Sequence, residues 1–556
     1  MKKLFVAITF LAIGLASFSQ IYPGKYYVQF TDKNNSPYSI DNPQEYLSQR
    51  SIDRRAAYNI PIDLKDLPVN PQYLNGIANT GAVILNPTKW LNGVTVSVSD
   101  PSIIAMIEAL PYVQSLVKSV VREIPGNSEK KFFDQEQIGV KPLPPAALKG
   151  SSVLDYGPSF NQISMLKGEL MHNLGYRGDG IIIGVLDAGF DNADNLPVFD
   201  SLWDSGRILA THDFVENSEM TFSKHYHGTM VLSTMGGNFP GQLIGTAPDA
   251  SYLLLRTEDG ATEYIIEEYN WVSGAEYADS IGADVLNTSL GYNTFDDPVQ
   301  DHTYEDMDGN TTPMTIGADI AASRGMAVVN SAGNSGSSSW YYITAPADGD
   351  SVFSIGAVNG QGIPAGFSGN GPTYDNRVKP NVSAQGEGTY IATTDGGFTY
   401  GNGTSFSSPI MAGMVACLWQ ANPNMNNMEL FNAIEQNSSL APDFDYKIGY
   451  GIPDFIAANN YLSVNDRELE DLFTGISIYP NPFRTAFNIE FSSEDASLLR
   501  LSLADMTGRL VYEKEFPVQQ GANSISLEGS GKLPVGIYFL RMESGGAAMN
   551  SKLIKQ

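Results

Sequence analysis

Five short runs of nearly uninterrupted apolar residues recur through the middle of the chain: IIIGVLD at 181–187, SYLLLR at 251–256, ADVLN at 283–287, MAVVNS at 326–331 and VFSIGA at 352–357. Helical patterns separate them. A strand that is apolar at every position has no solvent face, so the runs predict an α/β domain whose parallel sheet is covered on both sides by helices. In such sheets functional groups gather at the carboxyl ends of the strands. At 556 residues the chain exceeds the roughly 250–300 that one core accommodates, so smaller domains flank this one.

The flanks have their own patterns. Residues 1–20, MKKLFVAITFLAIGLASFSQ, place two lysines before an apolar run from Leu4 to Ala16 and end in small and polar residues, the anatomy of a cleaved export signal. No later run reaches the roughly 18 apolar residues that span a bilayer, so no transmembrane segment is expected once the signal is removed. Residues 21–123 alternate strand-like runs (YYVQF, GAVIL, GVTVSV, VQSLVKSV) with helical ones (PQEYLSQRSIDRRAAY, DPSIIAMIEALP), which predicts a small α+β domain. Residues 124–156 lose periodicity and gather Pro, Gly and charge, as an exposed linker with a maturation site does. The parallel sheet is assigned to 157–464. After an acidic stretch, 476–556 returns to short alternating strands spaced by turns, a β-sandwich.

Charge and cysteine content exclude several functions. Lys plus Arg number 33 against 61 Asp plus Glu, for a net charge of −28. The excess is concentrated in 151–464, with 9 basic and 37 acidic residues. Such a surface repels a phosphate backbone, so no nucleic-acid partner is expected. The single cysteine, Cys417, excludes an intrachain disulfide and a CxxC zinc site. It lies in an apolar helix and reads as a small core residue.

Four residues at predicted strand ends and helix starts carry chemistry. Asp187 ends IIIGVLD; by itself it would pass for a turn or capping residue. His227, one of five histidines, lies in HYHGTMV before a helix of small and apolar residues. Asn334 follows a strand in MAVVNSAGNSG, where an amide is commonly a turn residue. Ser405 sits in GNGTSFSSPIMAG, where a glycine turn enters a helix; such a serine is either an N-cap or a nucleophile whose charge the helix N-terminus favours.

Together, IIIGVLDAGFD, HGTMV, SAGNSG and GTSFSSPIMAG resemble the four signature blocks of the subtilisin-like serine proteases. The order Asp…His…Ser agrees with them. DFV (213–215), GTAPDA (245–250), NTSLG (287–291) and VKPNVSAQG (378–386) are similar to supporting blocks. The resemblance implies a serine endopeptidase made as a zymogen, with Asp187, His227 and Ser405 as triad, Asn334 as oxyanion donor, and Ser289, Leu290 and Gly291 pairing with an extended polypeptide substrate. Met230 departs from relatives that carry a second histidine there. No cofactor is implied for the chemistry. In the acidic insertion 296–310, Asp306, Asp308 and Asn310 offer oxygens at alternating positions, suited either to structural Ca²⁺ or to a solvated turn; the closing glutamate of an EF-hand is missing.

Residues 25–123 resemble the inhibitory propeptides of these proteases, which makes the chain's own N-terminal domain its intramolecular inhibitor. YPNPF (479–483), GIYFLRM (536–542) and the closing KLIKQ resemble the type IX secretion sorting domain of Bacteroidota. That implies the type IX machinery as partner and a secreted or cell-surface location. Two rivals use the same residues: a binding protein on an inactive protease scaffold, and a small-molecule esterase or amidase. For the tail, a carbohydrate- or protein-binding sandwich is the alternative.

Overall fold

The computed structural model describes residues 24–120, 136–140, 152–464, 473–493, 495–506, 509–544 and 547–556. The expected export signal, most of the linker and the acidic stretch before the tail lie outside the described residues.

All five apolar runs form strands of one nine-stranded sheet. Its order is Gln137–Ile138, Phe398–Asn402, Val382–Ala392, Phe353–Asn359, Ala327–Ser331, Val285–Thr288, Ile182–Asp187, Ser251–Arg256 and Ile208–Asp213. The last seven are mutually parallel; at one edge Phe398–Asn402 runs antiparallel to them, and Gln137–Ile138 pairs antiparallel with Phe398–Asn402. Alternation explains the continuous apolar character. Ile183 and Val185 face a core shared with the helices His227–Gly236 and Thr404–Ala421, while Ile182 and Leu186 face a second core under Ile266–Ile281 and Pro313–Ser323. Ile208–Asp213 and Val382–Ala392 were not among the predicted strands. The first is a half-exposed edge and the second reads VSAQGEGTYIA, so neither has an apolar run.

The N-terminal domain is a four-stranded antiparallel sheet, Val83–Thr88, Gly93–Val98, Gly24–Phe30 and Val113–Val120 in spatial order. Gln49–Ala57, Pro71–Asn79 and Ser102–Glu108 are its helices. The helix at 71–79 lacked a predicted pattern; it begins on Pro71 with Asn70 capping Gln72 N–H. The C-terminal region is a sandwich of a three-stranded and a four-stranded sheet around one core that includes Phe491, Leu501 and Leu540.

The N-terminal domain docks on the helix Ile266–Ile281. Tyr27 stacks on Tyr269 with ring centroids 4.0 Å apart. The backbone N–H groups of Lys89 and Trp90 donate to the two oxygens of Glu276 at 2.7 and 2.8 Å. One helical turn on, Asp279 receives Arg54 at 2.5 Å, Arg55 at 2.8 Å and Lys89 at 3.5 Å, with its carboxylate fully buried. Burial alone would raise the Asp279 pKa, but Lys89, Arg54 and Arg55 outweigh it and hold the carboxyl at about 2. A buried charge that loses its partner costs far more than the pair contributes. Asp279→Asn should therefore destabilise the docked domain by about 3–5 kcal/mol. Urea titration of the full chain checks this, and an unchanged midpoint would contradict it. Because the folded value lies below the ordinary 3.8, the wild-type contribution is present above that pH and fades as pH falls toward about 2.

Candidate active site

Four elements converge at the carboxyl ends of the central strands. Asp187 is the last residue of Ile182–Asp187, His227 the first of the helix His227–Gly236, and Ser405 the second of Thr404–Ala421. All three are fully buried. Asp187 Oδ1 accepts from the backbone N–H of Ala188 at 2.7 Å and lies 2.8 Å from His227 Nδ1. A carboxylate on Nδ1 fixes the ring and favours the tautomer that leaves Nε2 as the reactive nitrogen. Gly228 allows this approach: its N–H donates to Gly189 O at 2.9 Å, and a β-carbon there would overlap that oxygen and the Phe190 ring.

Ser405 lies where a helix leaves its first four N–H groups without intrahelical acceptors. Its hydroxyl donates to Ser289 O at 3.3 Å, and Ser289 Oγ returns a bond to Ser405 O at 2.9 Å. Asn334 is buried in the loop after Ala327–Ser331. Its Oδ1 accepts from both Thr404 N–H, at 2.8 Å, and Thr404 Oγ1–H, at 2.9 Å. Those two donors orient the amide, and its buried Nδ2 has no hydrogen-bond partner among the described residues. A buried donor without an acceptor costs about 1–3 kcal/mol.

His227 Nε2 faces Glu136 Oε1 at 3.3 Å, and the Glu136 side chain is only 2% exposed. Burial works against a charged imidazole, but the carboxylates of Asp187 and Glu136 overcome it and raise the His227 pKa well above the usual value. The His225 ring lies 6.5 Å from that of His227.

The model of the subtilase family matches residues 178–451, which contain all four residues. Subtilisin E of Bacillus subtilis is 31% identical over 294 residues, 52% of this chain and 68% of that protein. The subtilisin of Bacillus pumilus is 30% identical over 294 residues, 52% of this chain and 94% of its own. Subtilisin BL of Lederbergia lenta is 29% identical over 278 residues, covering 50% and 90% respectively. The chain belongs to the subtilase family.

This subtilase is thus a serine endopeptidase. The Bacteroidota Peptidase S8 propeptide domain matches residues 25–134, and the secretion system C-terminal sorting domain matches 477–556. The subtilase therefore carries a propeptide and a type IX sorting tail that directs export to the cell surface or beyond. Among the described residues no helix is long and apolar enough to cross a membrane.

The remaining predicted site residues divide. Ser289 and Leu290 are buried beside Ser405, Leu290 O accepts from Ser331 Oγ at 3.3 Å, and Gly291 follows in the same segment. Asp306, Asp308 and Asn310 sit in the acidic insertion, in a turn they cap themselves. Asp306 Oδ2 accepts from Thr303 N–H and Oγ1–H at 2.6 and 2.8 Å, and Asp308 Oδ1 accepts from Asn310 N–H at 2.8 Å. Met230 packs with Ile391 and Phe406.

Sequence reasoning missed two features of the subtilase. One is Glu136, which no motif marks. The other is the buried trio Glu258, Glu263 and Glu267, with carboxylate oxygens within 4.8 Å of one another and four residues apart or more in the chain. Cys417 is buried in the helix Thr404–Ala421, its thiol directed to Thr246 O at 3.1 Å. Burial pushes the thiol far above its ordinary range. Since the thiolate is the reactive species, Cys417 should resist maleimide in the native subtilase and react after denaturation. Rapid native labelling, read by mass spectrometry, would show otherwise.

Proposed function

We propose that this subtilase cleaves polypeptides by attack of Ser405 Oγ on the scissile carbonyl, with His227 as base and then acid, and Asp187 holding the imidazolium. His227 Nε2 takes the serine proton, the tetrahedral oxyanion forms, and the same proton passes to the leaving amine. Asn334 Nδ2 and the Ser405 backbone N–H are the oxyanion donors. The observation that carries this reading is the pre-set Asn334 amide: its Oδ1 is tied twice to Thr404, and its buried Nδ2 is left without a partner next to the nucleophile. Preorganised donors of this kind need no reorganisation as charge develops.

In this reading Ser289–Gly291 accepts the substrate as an extended strand, so main-chain hydrogen bonds supply affinity and side-chain selectivity is modest. The chemistry needs no cofactor. For the loop holding Asp306, Asp308 and Asn310, the hydrogen bonds already engaging the two aspartates favour a self-capped turn over a calcium site. The propeptide acts as intramolecular inhibitor, a role supported by its buried ion pairs with Asp279 and by the following segment, which pairs with Phe398–Asn402 and brings Glu136 to His227. The tail is read by the type IX machinery.

Two experiments test the reading. Ser405→Ala should abolish casein hydrolysis, and Asn334→Ala should lower kcat by about 10²–10³ with little change in KM, the usual effect of removing one oxyanion donor. Wild-type turnover in Ser405→Ala would refute the assignment. Removal of 476–556 should leave an active protease inside the outer membrane, because the sandwich closes around its own core. Normal appearance of the truncated enzyme in the medium would return the tail to the binding-module reading.

A further inference from the structure

Residues 136–140 run along the sheet edge next to His227. Gln137–Ile138 adds to the sheet edge as an antiparallel strand on Phe398–Asn402, with Gln137 opposite Asn402 and Ile138 opposite Gly401. Tyr400 O accepts from Gly139 N–H at 2.8 Å and from Val140 N–H at 3.2 Å, and Asn402 Nδ2 donates to Gln137 Oε1 at 3.2 Å. The strand they pair with runs through Gly403 and Thr404 into Ser405. Glu136 comes before this pairing and reaches His227 Nε2. Gly403 makes room for it: a β-carbon there would stand 2.8 Å from Glu136 Oε1.

Nε2 is the nitrogen that must take the Ser405 proton in the proposed reaction. We propose that Glu136 is an autoinhibitory latch: while 136–140 stays paired with Phe398–Asn402, its carboxylate holds His227 as the imidazolium and denies Ser405 its base. The inference rests on the triad reading and specifies how that site is kept silent. The lock is one of charge, and it opens when the segment leaves the strand.

The sign of the pH dependence follows from the groups around His227. Asp187 faces it from the end of the central strand, Glu136 from the edge segment and His225 from the residues before its own helix, while Phe406, 6.5 Å away ring to ring, is neutral. Two carboxylates against one imidazole keep the ring protonated to higher pH than usual. Ser405 of the latched chain should therefore become reactive only as pH rises through that elevated value, and removal of the Glu136 charge should move the onset to lower pH.

The test uses the full chain as wild type, Glu136→Gln, which keeps the shape, and Glu136→Asp, which keeps the charge on a shorter stem. The rate of fluorophosphonate labelling at Ser405 is measured against pH on precursor shown intact by mass spectrometry. Glu136→Gln should label at least about tenfold faster near neutral pH, a one-unit fall in the midpoint being a factor of ten. Glu136→Asp should fall between. The His227 ring is followed by NMR in the Ser405→Ala background, where self-processing is blocked. There Glu136→Gln should lower its titration midpoint by one unit or more. Equal labelling rates together with an unchanged His227 midpoint would overturn the latch and leave the protease reading standing. Failure of the processed wild-type enzyme to label at any pH would overturn both.

Discussion

A sheet buried on both faces admits charge only at the ends of its strands, because a carboxylate within the apolar layers would have to be neutralised or paired. Asp187 meets that constraint at the last position of its strand. Its carboxylate is fully buried, one oxygen is held by the Ala188 N–H, and the same oxygen takes the His227 ring. The arrangement of the other site elements follows from that pair. The helix that supplies His227 must start against the turn at Gly189, which is why Gly228 cannot carry a side chain. The helix that supplies Ser405 must start where its free N–H groups and the Asn334 amide meet.

The same economy of buried charge governs the propeptide. Residues 151–464 carry 9 basic and 37 acidic side chains, and two of those acids, Glu276 and Asp279, lie on the helix that receives the N-terminal domain. Glu276 is matched by backbone N–H groups and Asp279 by Arg54, Arg55 and Lys89. Burial pushes the Glu276 pKa up to about 7, against the pull of Lys89, whereas the cation cluster drives that of Asp279 down. The two contacts on one helix therefore respond oppositely to acid. Protonation stabilises the buried Glu276 and weakens the Asp279 clasp. Asp66 ties the cluster further, at 2.8 Å from Arg55, so that guanidinium is held from within the N-terminal domain as well as by Asp279.

The amino-acid sequence alone determined the parallel sheet, through five apolar runs that no solvent-facing strand would carry. It determined the sandwich, through alternation, and it located Asp187, His227, Asn334 and Ser405 at strand ends and helix starts. These are local properties, written in a few consecutive residues. Strands without apolar runs, such as Ile208–Asp213 and Val382–Ala392, were not legible, because partners elsewhere in the sheet decide their pairing. Tertiary structure alone decided which end of the Asn334 amide is free, since Thr404, 70 residues on, holds the other. It also brought Glu136 to His227, 91 residues away, from a segment that reads as an exposed linker. Composition and periodicity describe what a residue does to its neighbours in the chain. The ionisation of a buried histidine depends on every charge that folding brings within a few ångströms, and no local pattern contains that sum.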